Sequence, residues 1–379
     1  MMIYLDYSAT TKTSKEVLDT FVKVSTDFIG NPNSLHKLGV ESKKLIDAST
    51  EQIANIMGVK KDEIIYTSGA SESNNTVLKG VALRYQKRGK HIITTQFEHS
   101  SIYGPISYLQ TLGFEVDFVE TDQDGIVKID SLKNLLRDDT ILVSISAVNS
   151  EIGIIEPINQ LGKYVHEHSN AFFHSDFTQL VGKDYFKTDD IDLISFSAHK
   201  FFGIKGIGIL VKKSNVDLIP LIHGGKSTTI YRSGTPAVAL IASTAKALRL
   251  ANESLKYKDH VKELNTYLKG ELEKIDDVYV NSNDKCIPQI VNFSVLNVKP
   301  ESMLHALEED EIYISTKTAC ASDKSYSKAV YALTNDMDRA LTSMRVSLSY
   351  ITTKEEVDAF LASLKKNIAK LRLKDVKNS

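Results

Sequence analysis

The residues richest in chemistry stand at Ser195-Phe196-Ser197-Ala198-His199-Lys200, closing an apolar run ahead of Gly203 and Gly206. An ammonium behind a buried strand is costly unless paired or neutralised. Desolvation lowers the pKa of such a lysine, and its free amine can then condense with an aldehyde. A lone strand-end lysine that reaches solvent would read the same way, so its neighbours decide. Upstream, His174-Ser175-Asp176-Phe177-Thr178-Gln179 also closes an apolar run. Asp176 suits a protonated pyridine nitrogen, keeping that ring an electron sink; a turn-capping aspartate is the plainer alternative. Gln179 suits a phenolic oxygen on the same ring. His174, two residues before Asp176 on one strand face, reads as a supporting core histidine. Thr67-Ser68-Gly69-Ala70-Ser71-Glu72-Ser73-Asn74-Asn75 follows a strand and opens a helix. Glycine admits a close backbone approach, and a helix N-terminus offers free N–H groups to a phosphate. Read alone, the segment is equally a serine-capped helix start; beside Lys200 and Asp176 it supplies a phosphate site.

These residues need a scaffold that brings distant strand ends together. Short β-rich runs read as strands at 64–67, 91–94, 114–120, 141–147, 171–174 and 191–196. Between several of them lie segments with helical spacing, such as Glu72 to Arg88 ending at Gly89. Alternation of this kind predicts crossover units and a mainly parallel sheet. After Pro236 the texture changes: an Ala/Leu-rich helix from Ala237 to Leu250, a charged helix to about Lys274, and strands at 289–296, 312–315 and 345–349. A last helix opens at Thr353-Lys354-Glu355-Glu356 with the spacing of a capping box. The fold class is α/β: a large mainly parallel domain over 13–255 and a smaller α+β C-terminal domain over 256–379, with 1–12 associated with the latter.

At 379 residues the chain exceeds what one hydrophobic core usually serves. Its 46 Lys+Arg balance 48 Asp+Glu, which supplies no electrostatic footprint for nucleic acid. No apolar run approaches the roughly 20 residues that cross a bilayer, and Met1 to Asp6 lacks the features of a signal peptide. Two cysteines, Cys286 and Cys320, make neither a disulfide framework nor a multi-cysteine metal site. The expectation is a cytoplasmic enzyme without a metal.

The motifs together resemble the cysteine desulfurases of the class V aminotransferase group, fold-type I enzymes dependent on pyridoxal 5′-phosphate. The resemblance runs in order through Tyr4 to Thr11, Asn31 to His36, Ser68 to Asn75, Glu98-His99 and Asn149 to Gly153. It continues through Asp176 to Gln179, Ser197 to Lys200, Gly206 to Gly208, His223 to Gly225, Arg232 to Thr235, Ala319-Cys320 and Arg345 to Ser347. It implies that Lys200 holds the cofactor and moves the substrate Cα proton, and that His99 stacks over the pyridine ring. It further implies phosphate contacts from Ala70, Ser71, Ser197 and His199. Thr235 would reach the phosphate of a neighbouring subunit, hence a homodimer. Asn149 and Arg345 would grip the substrate carboxylate. The substrate is then L-cysteine, and the products are L-alanine and a persulfide on Cys320.

Cys320 lies in the polar stretch Thr316 to Lys328 behind an apolar strand, where a mobile loop would let sulfur reach an acceptor. Cys286, just before Pro288 and a core strand, reads as an inert structural cysteine. Lys317, three residues from Cys320, is a candidate for favouring its thiolate. Two departures touch partner choice: Thr316-Lys317-Thr318 replaces the family's common Ser-Gly-Ser, and Ala321 to Ser327 lacks its Leu-Glu-Pro-Ser. The Ser-Thr-x-x-Ala-Cys form resembles desulfurases that feed a tRNA 4-thiouridine sulfurtransferase rather than an iron–sulfur scaffold. Rival readings are a selenocysteine lyase, an aminotransferase-like relative, and a non-catalytic sulfur-transfer scaffold.

Overall fold

The structure is a computed structural model that describes residues 2–316 and 326–378, with side chains described as far as Arg372. Lys317 and Cys320 therefore lie outside the described residues.

A seven-stranded sheet carries the architecture. Its spatial order is Ile64–Thr67, Gly208–Lys212, Leu193–Ser197, Phe172–Asp176, Thr140–Ser144, His91–Thr94 and Glu115–Phe118. Gly208–Lys212 runs antiparallel to both neighbours, and every other pairing is parallel. The expected strands are all present. Glu115–Phe118 is shorter than the apolar run that announced it, because it is a partly exposed edge with only one neighbour. Gly208–Lys212 was not anticipated as a strand, because Gly206 and Gly208 mask its apolar run Ile209-Leu210-Val211. All five of its residues are buried. The central strands are continuous apolar runs because helices cover both faces. Phe173, Phe177, Phe196 and Ile194 are wholly buried in the main core, and each such side chain contributes about 1.5–3 kcal/mol.

A second, antiparallel sheet orders Ser315–Thr316, Ser343–Ser347, Ile290–Val295 and Val278–Val280. It packs with helices Lys258–Leu272, Pro300–Glu308 and Lys354–Asn378 around Phe293 and Phe360. The capping box of the last helix is present: Thr353 N donates to Glu356 Oε2 at 2.9 Å and Glu356 N to Thr353 Oγ1 at 3.3 Å. The single strand expected over 312–315 is two short ones. Ile312–Tyr313 pairs with Ile3–Tyr4, while Ser315–Thr316 turns to join the four-stranded sheet. The chain's first residues thus thread into the second half of the molecule: Leu5 O accepts from Ser347 N at 2.7 Å, and Ser8 N donates to Ser347 Oγ at 3.0 Å.

The sheet's antiparallel member begins at a close crossing. A Cβ on Gly208 would lie 2.5 Å from Gly69 Cα and 2.6 Å from Gly69 C. That backbone approach opens the helix Ala70–Tyr85, whose N-cap is Gly69. The Ser68 side chain does not cap it; instead Ser68 N donates to Glu72 Oε2 at 2.7 Å. Gly208→Ala should destabilise the fold by about 1–3 kcal/mol through overpacking against backbone. Urea unfolding followed by circular dichroism measures this, and an unchanged midpoint would contradict the crossing.

Candidate active site

Parallel strands present their carboxyl ends on one side, and side chains just beyond those ends converge there. Asp176 ends one strand, Ser197 ends its neighbour, and Lys200 sits on the turn Ala198–Lys200 that follows. His99 follows His91–Thr94, and Ala70 and Ser71 follow Ile64–Thr67. With Gln179, His199 and Arg345 these residues line one cavity of about 270 Å³. The cavity gathers nine of the expected site residues from strands far apart in sequence.

Lys200 Nζ donates to Ser8 O at 2.6 Å and Ala9 O at 2.8 Å, so the N-terminal segment holds the lysine in place. Asp176 is buried, and both of its oxygens are engaged. Thr178 N donates to Oδ1 at 2.9 Å and Asn74 Nδ2 to Oδ2 at 2.7 Å. With both oxygens held, the carboxyl group is fixed in orientation at the cavity wall.

His99 is the N-cap of helix Ser100–Thr111. Its Nδ1 accepts from Ser101 N at 3.1 Å, which assigns the proton of the neutral ring to Nε2. Burial lowers the His99 pKa; Lys200 adds to the effect and Asp176 opposes it. His199 contacts Thr10 Oγ1 at 3.1 Å and is pushed down to about 4 by burial and by Lys200, Lys205 and Lys183. Both rings are thus neutral at pH 7. His174 is wholly buried between Ser144 Oγ and Ser195 Oγ, the supporting position expected of it.

At the phosphate end, Ala70 N donates to Ser197 Oγ at 2.7 Å, joining the helix start to the strand that carries Lys200. Glu72, which a phosphate would repel, is held by Arg232 Nε at 3.1 Å and by Ser68 N. On the opposite side, Arg345 donates to Asp6 Oδ1 at 2.9 Å and Ser150 O at 2.7 Å. Its Nε is buried without a hydrogen-bond partner among the described residues. Asp6 is raised in pKa by burial, against the pull of Arg345.

Two expected residues lie off this cavity: Asn149, expected in the substrate clamp, and Thr235, expected to serve a neighbouring subunit. Asn149 does not line the cavity; its neighbours Val148 and Ser150 do. Its amide ties two loops together, Nδ2 donating to Phe97 O at 2.9 Å and Oδ1 accepting from Glu151 N and Ile152 N. Thr235 lines a separate groove with Ile29 and Asn31. Residues that sequence reasoning missed are Asn74, which clamps Asp176, and Asp6, which pairs with Arg345. Each was quoted inside a motif, but only the fold shows what it touches. Glu98 is another: buried, it is pushed up to about 7 by desolvation even though Ser146 and Thr95 donate to it.

The residues fit pyridoxal 5′-phosphate. A reactive-type lysine, a carboxylate for the pyridine nitrogen, a neutral imidazole on the wall and a glycine-lined helix N-terminus share one cavity. Among the described residues no group of His, Cys, Asp and Glu is arranged to hold a metal ion.

The Aminotransferase class-V family model matches residues 3–360. A cysteine desulfurase IscS of Dictyoglomus turgidum is 42% identical over 376 residues, covering 98% of this chain and 95% of the relative. A NifS/IcsS protein homolog of Lactobacillus delbrueckii is also 42% identical, over 373 residues and 96% of each chain. Among solved structures, a NifS-like protein superposes with a TM-score of 0.93 at 34% identity, covering 98% of this chain and 100% of its own. SspA in complex with cysteine superposes with a TM-score of 0.80 at 29% identity, covering 92% and 99%.

Cys286 is half-buried and its thiol is pushed up to about 12, chiefly by desolvation. It should resist iodoacetamide in the folded protein at pH 8 and react fully after denaturation. Mass spectrometry of Cys320→Ser protein reads this directly, and rapid labelling of the folded form would refute the inert assignment.

Proposed function

The chain belongs to the class-V aminotransferase family, and from that membership we propose that it is a pyridoxal-phosphate-dependent L-cysteine desulfurase. The observation that carries this reading is the convergence of Lys200, Asp176, His99 and Arg345 on one cavity. Relatives named as desulfurases at 42% identity support it.

Bound pyridoxal 5′-phosphate would supply an electron-accepting ring that weakens bonds at the substrate's α- and β-carbons. Lys200 anchors the cofactor through its amine and carries the proton at the substrate Cα. Asp176 holds the ring nitrogen, Gln179 the phenolic oxygen, and Ala70, Ser71, Ser197 and His199 the phosphate. His99 covers the ring as a neutral imidazole with its proton on Nε2. Arg345 turns its remaining N–H groups to the substrate carboxylate, a planar two-point grip. Asn149 acts on that end by shaping the loop that presents Ser150.

The thiolate of Cys320 attacks the sulfur of the bound cysteine. A sulfur–sulfur bond forms, the substrate carbon–sulfur bond breaks, and its electron pair ends as a C–H bond of alanine. Cysteine and one enzyme thiol thus become alanine and one enzyme persulfide, with no external oxidant. Lys317 is placed in sequence to favour the thiolate.

We further read residues 13–255 as the large cofactor-binding domain, and residues 256–379 with the first 12 as the smaller one. The working form is a homodimer in which Thr235 serves the neighbouring site. An open groove shared by Thr235 and Ile29, with Ile29 74% and Leu35 97% exposed, supports this. A cytoplasmic compartment follows from cysteine usage. The sulfur acceptor we favour is a tRNA 4-thiouridine sulfurtransferase, on the Ser-Thr-x-x-Ala-Cys form of the loop, ahead of an iron–sulfur scaffold.

Purified protein given L-cysteine and a reductant should release alanine and sulfide in equal amounts. Lys200→Ala should lower turnover by at least about a thousandfold, as expected for loss of a positioned proton carrier. Cys320→Ser should still perturb the visible spectrum on adding cysteine yet release no sulfide; full release would remove Cys320 from the reaction. Light scattering should give twice the 42.1 kDa chain mass, and a strictly monomeric active enzyme would refute the shared site.

A further inference from the structure

One buried titratable group has no part in the chemistry above. Lys183 follows Gly182 behind the site, and its Nζ donates to Gln179 Oε1. The other end of that carboxamide, Nε2, donates to Ser8 O at 2.9 Å. The same carbonyl accepts Lys200 Nζ. Gln289 Nε2 holds the Lys183 backbone carbonyl at 3.0 Å. The small cavity behind Lys200 is lined by Lys183, Lys258 and Tyr7, and among the described residues no acidic side chain lines it. No carboxylate pairs with Lys183 among the described residues. A buried lysine so placed is expensive, and its one side-chain partner among the described residues is the amide oxygen of a residue that lines the cofactor cavity.

The two ends of a carboxamide differ only in direction of hydrogen bonding. Ser8 O can only accept, so Nε2 must face it; the opposite end is then an acceptor that needs a donor. We propose that Lys183 is a positioning residue for Gln179: by occupying Oε1 it keeps the amide N–H, not the oxygen, facing the phenolic oxygen of bound pyridoxal 5′-phosphate. This rests on the cofactor reading above. The lysine donates in either protonation state, so the orientation holds although burial, Lys200 and Arg345 lower its pKa well below the usual value. The charged and titratable groups that face it are Lys200, Arg345, His199, Tyr7 and Lys258.

The test compares wild-type, Lys183→Met and Lys183→Arg proteins loaded with pyridoxal 5′-phosphate. Two quantities are read: the pH midpoint of the bound chromophore's visible absorbance, and the cofactor dissociation constant. An N–H donor stabilises the ionised phenolic oxygen, so its loss moves the midpoint to higher pH. Lys183→Met should show that upward shift with cofactor affinity weakened about tenfold. Lys183→Arg, which keeps a donor, should stay near wild type. If Lys183→Met does not fold, Lys183→Leu, which also carries no donor, gives the same comparison. Equal midpoints in wild type and the donor-free variant overturn the proposal, as do equal shifts in Met and Arg variants. A wild-type protein that binds no pyridoxal 5′-phosphate overturns the cofactor reading instead.

Discussion

The arrangement depends on where Lys200 Nζ is held. Two carbonyls of the N-terminal segment, Ser8 O and Ala9 O, fix it at 2.6 and 2.8 Å. That segment is itself anchored in the second half of the molecule, through Leu5 against Ser347 and Ile3–Tyr4 against Ile312–Tyr313. A lysine on the large sheet is therefore set by contacts that reach the small one. Arg345 lies on the strand Ser343–Ser347 and pairs with Asp6 of the same segment. Both ends of a bound amino acid would meet groups registered by one stretch of seven residues, so a disturbance of residues 3–9 is felt at both.

Charge around the cavity is arranged for the same chemistry. Donors on both oxygens fix the Asp176 carboxyl group in place, while burial keeps His99 and His199 neutral. Neutral imidazoles leave the positive potential to Lys200, Arg345 and the helix N-terminus. Those are the points at which a phosphate, a carboxylate and an ionised phenolic oxygen would sit.

Much of the site was legible in the sequence because its residues follow strands, and strand ends are visible as the close of apolar runs. Ser197 to Lys200 and Asp176 to Gln179 were readable on that basis, and the glycine at 69 marked the helix opening. Partners across the fold were not readable. Nothing near Asn74 in sequence points to Asp176, about a hundred residues on, and Asp6 meets Arg345 only because the first strand pairs with a late one. Lys183 looks like a surface residue beside Asp184; its burial follows from the packing of the turn against Gln289. Asn149 was expected in the clamp, yet the turn it initiates consumes its carbonyl oxygen. The strand Gly208–Lys212 was hidden because the glycines that permit its close crossing also dilute its β signal.

The central claim is that the amine of Lys200 condenses with the aldehyde of pyridoxal 5′-phosphate in this cavity. Reducing the loaded protein with borohydride, digesting it and locating the pyridoxyl group by mass spectrometry tests it most directly. The account predicts one group per chain, on the peptide containing Lys200; attachment to Lys183 or another lysine, or no incorporation at all, would contradict it.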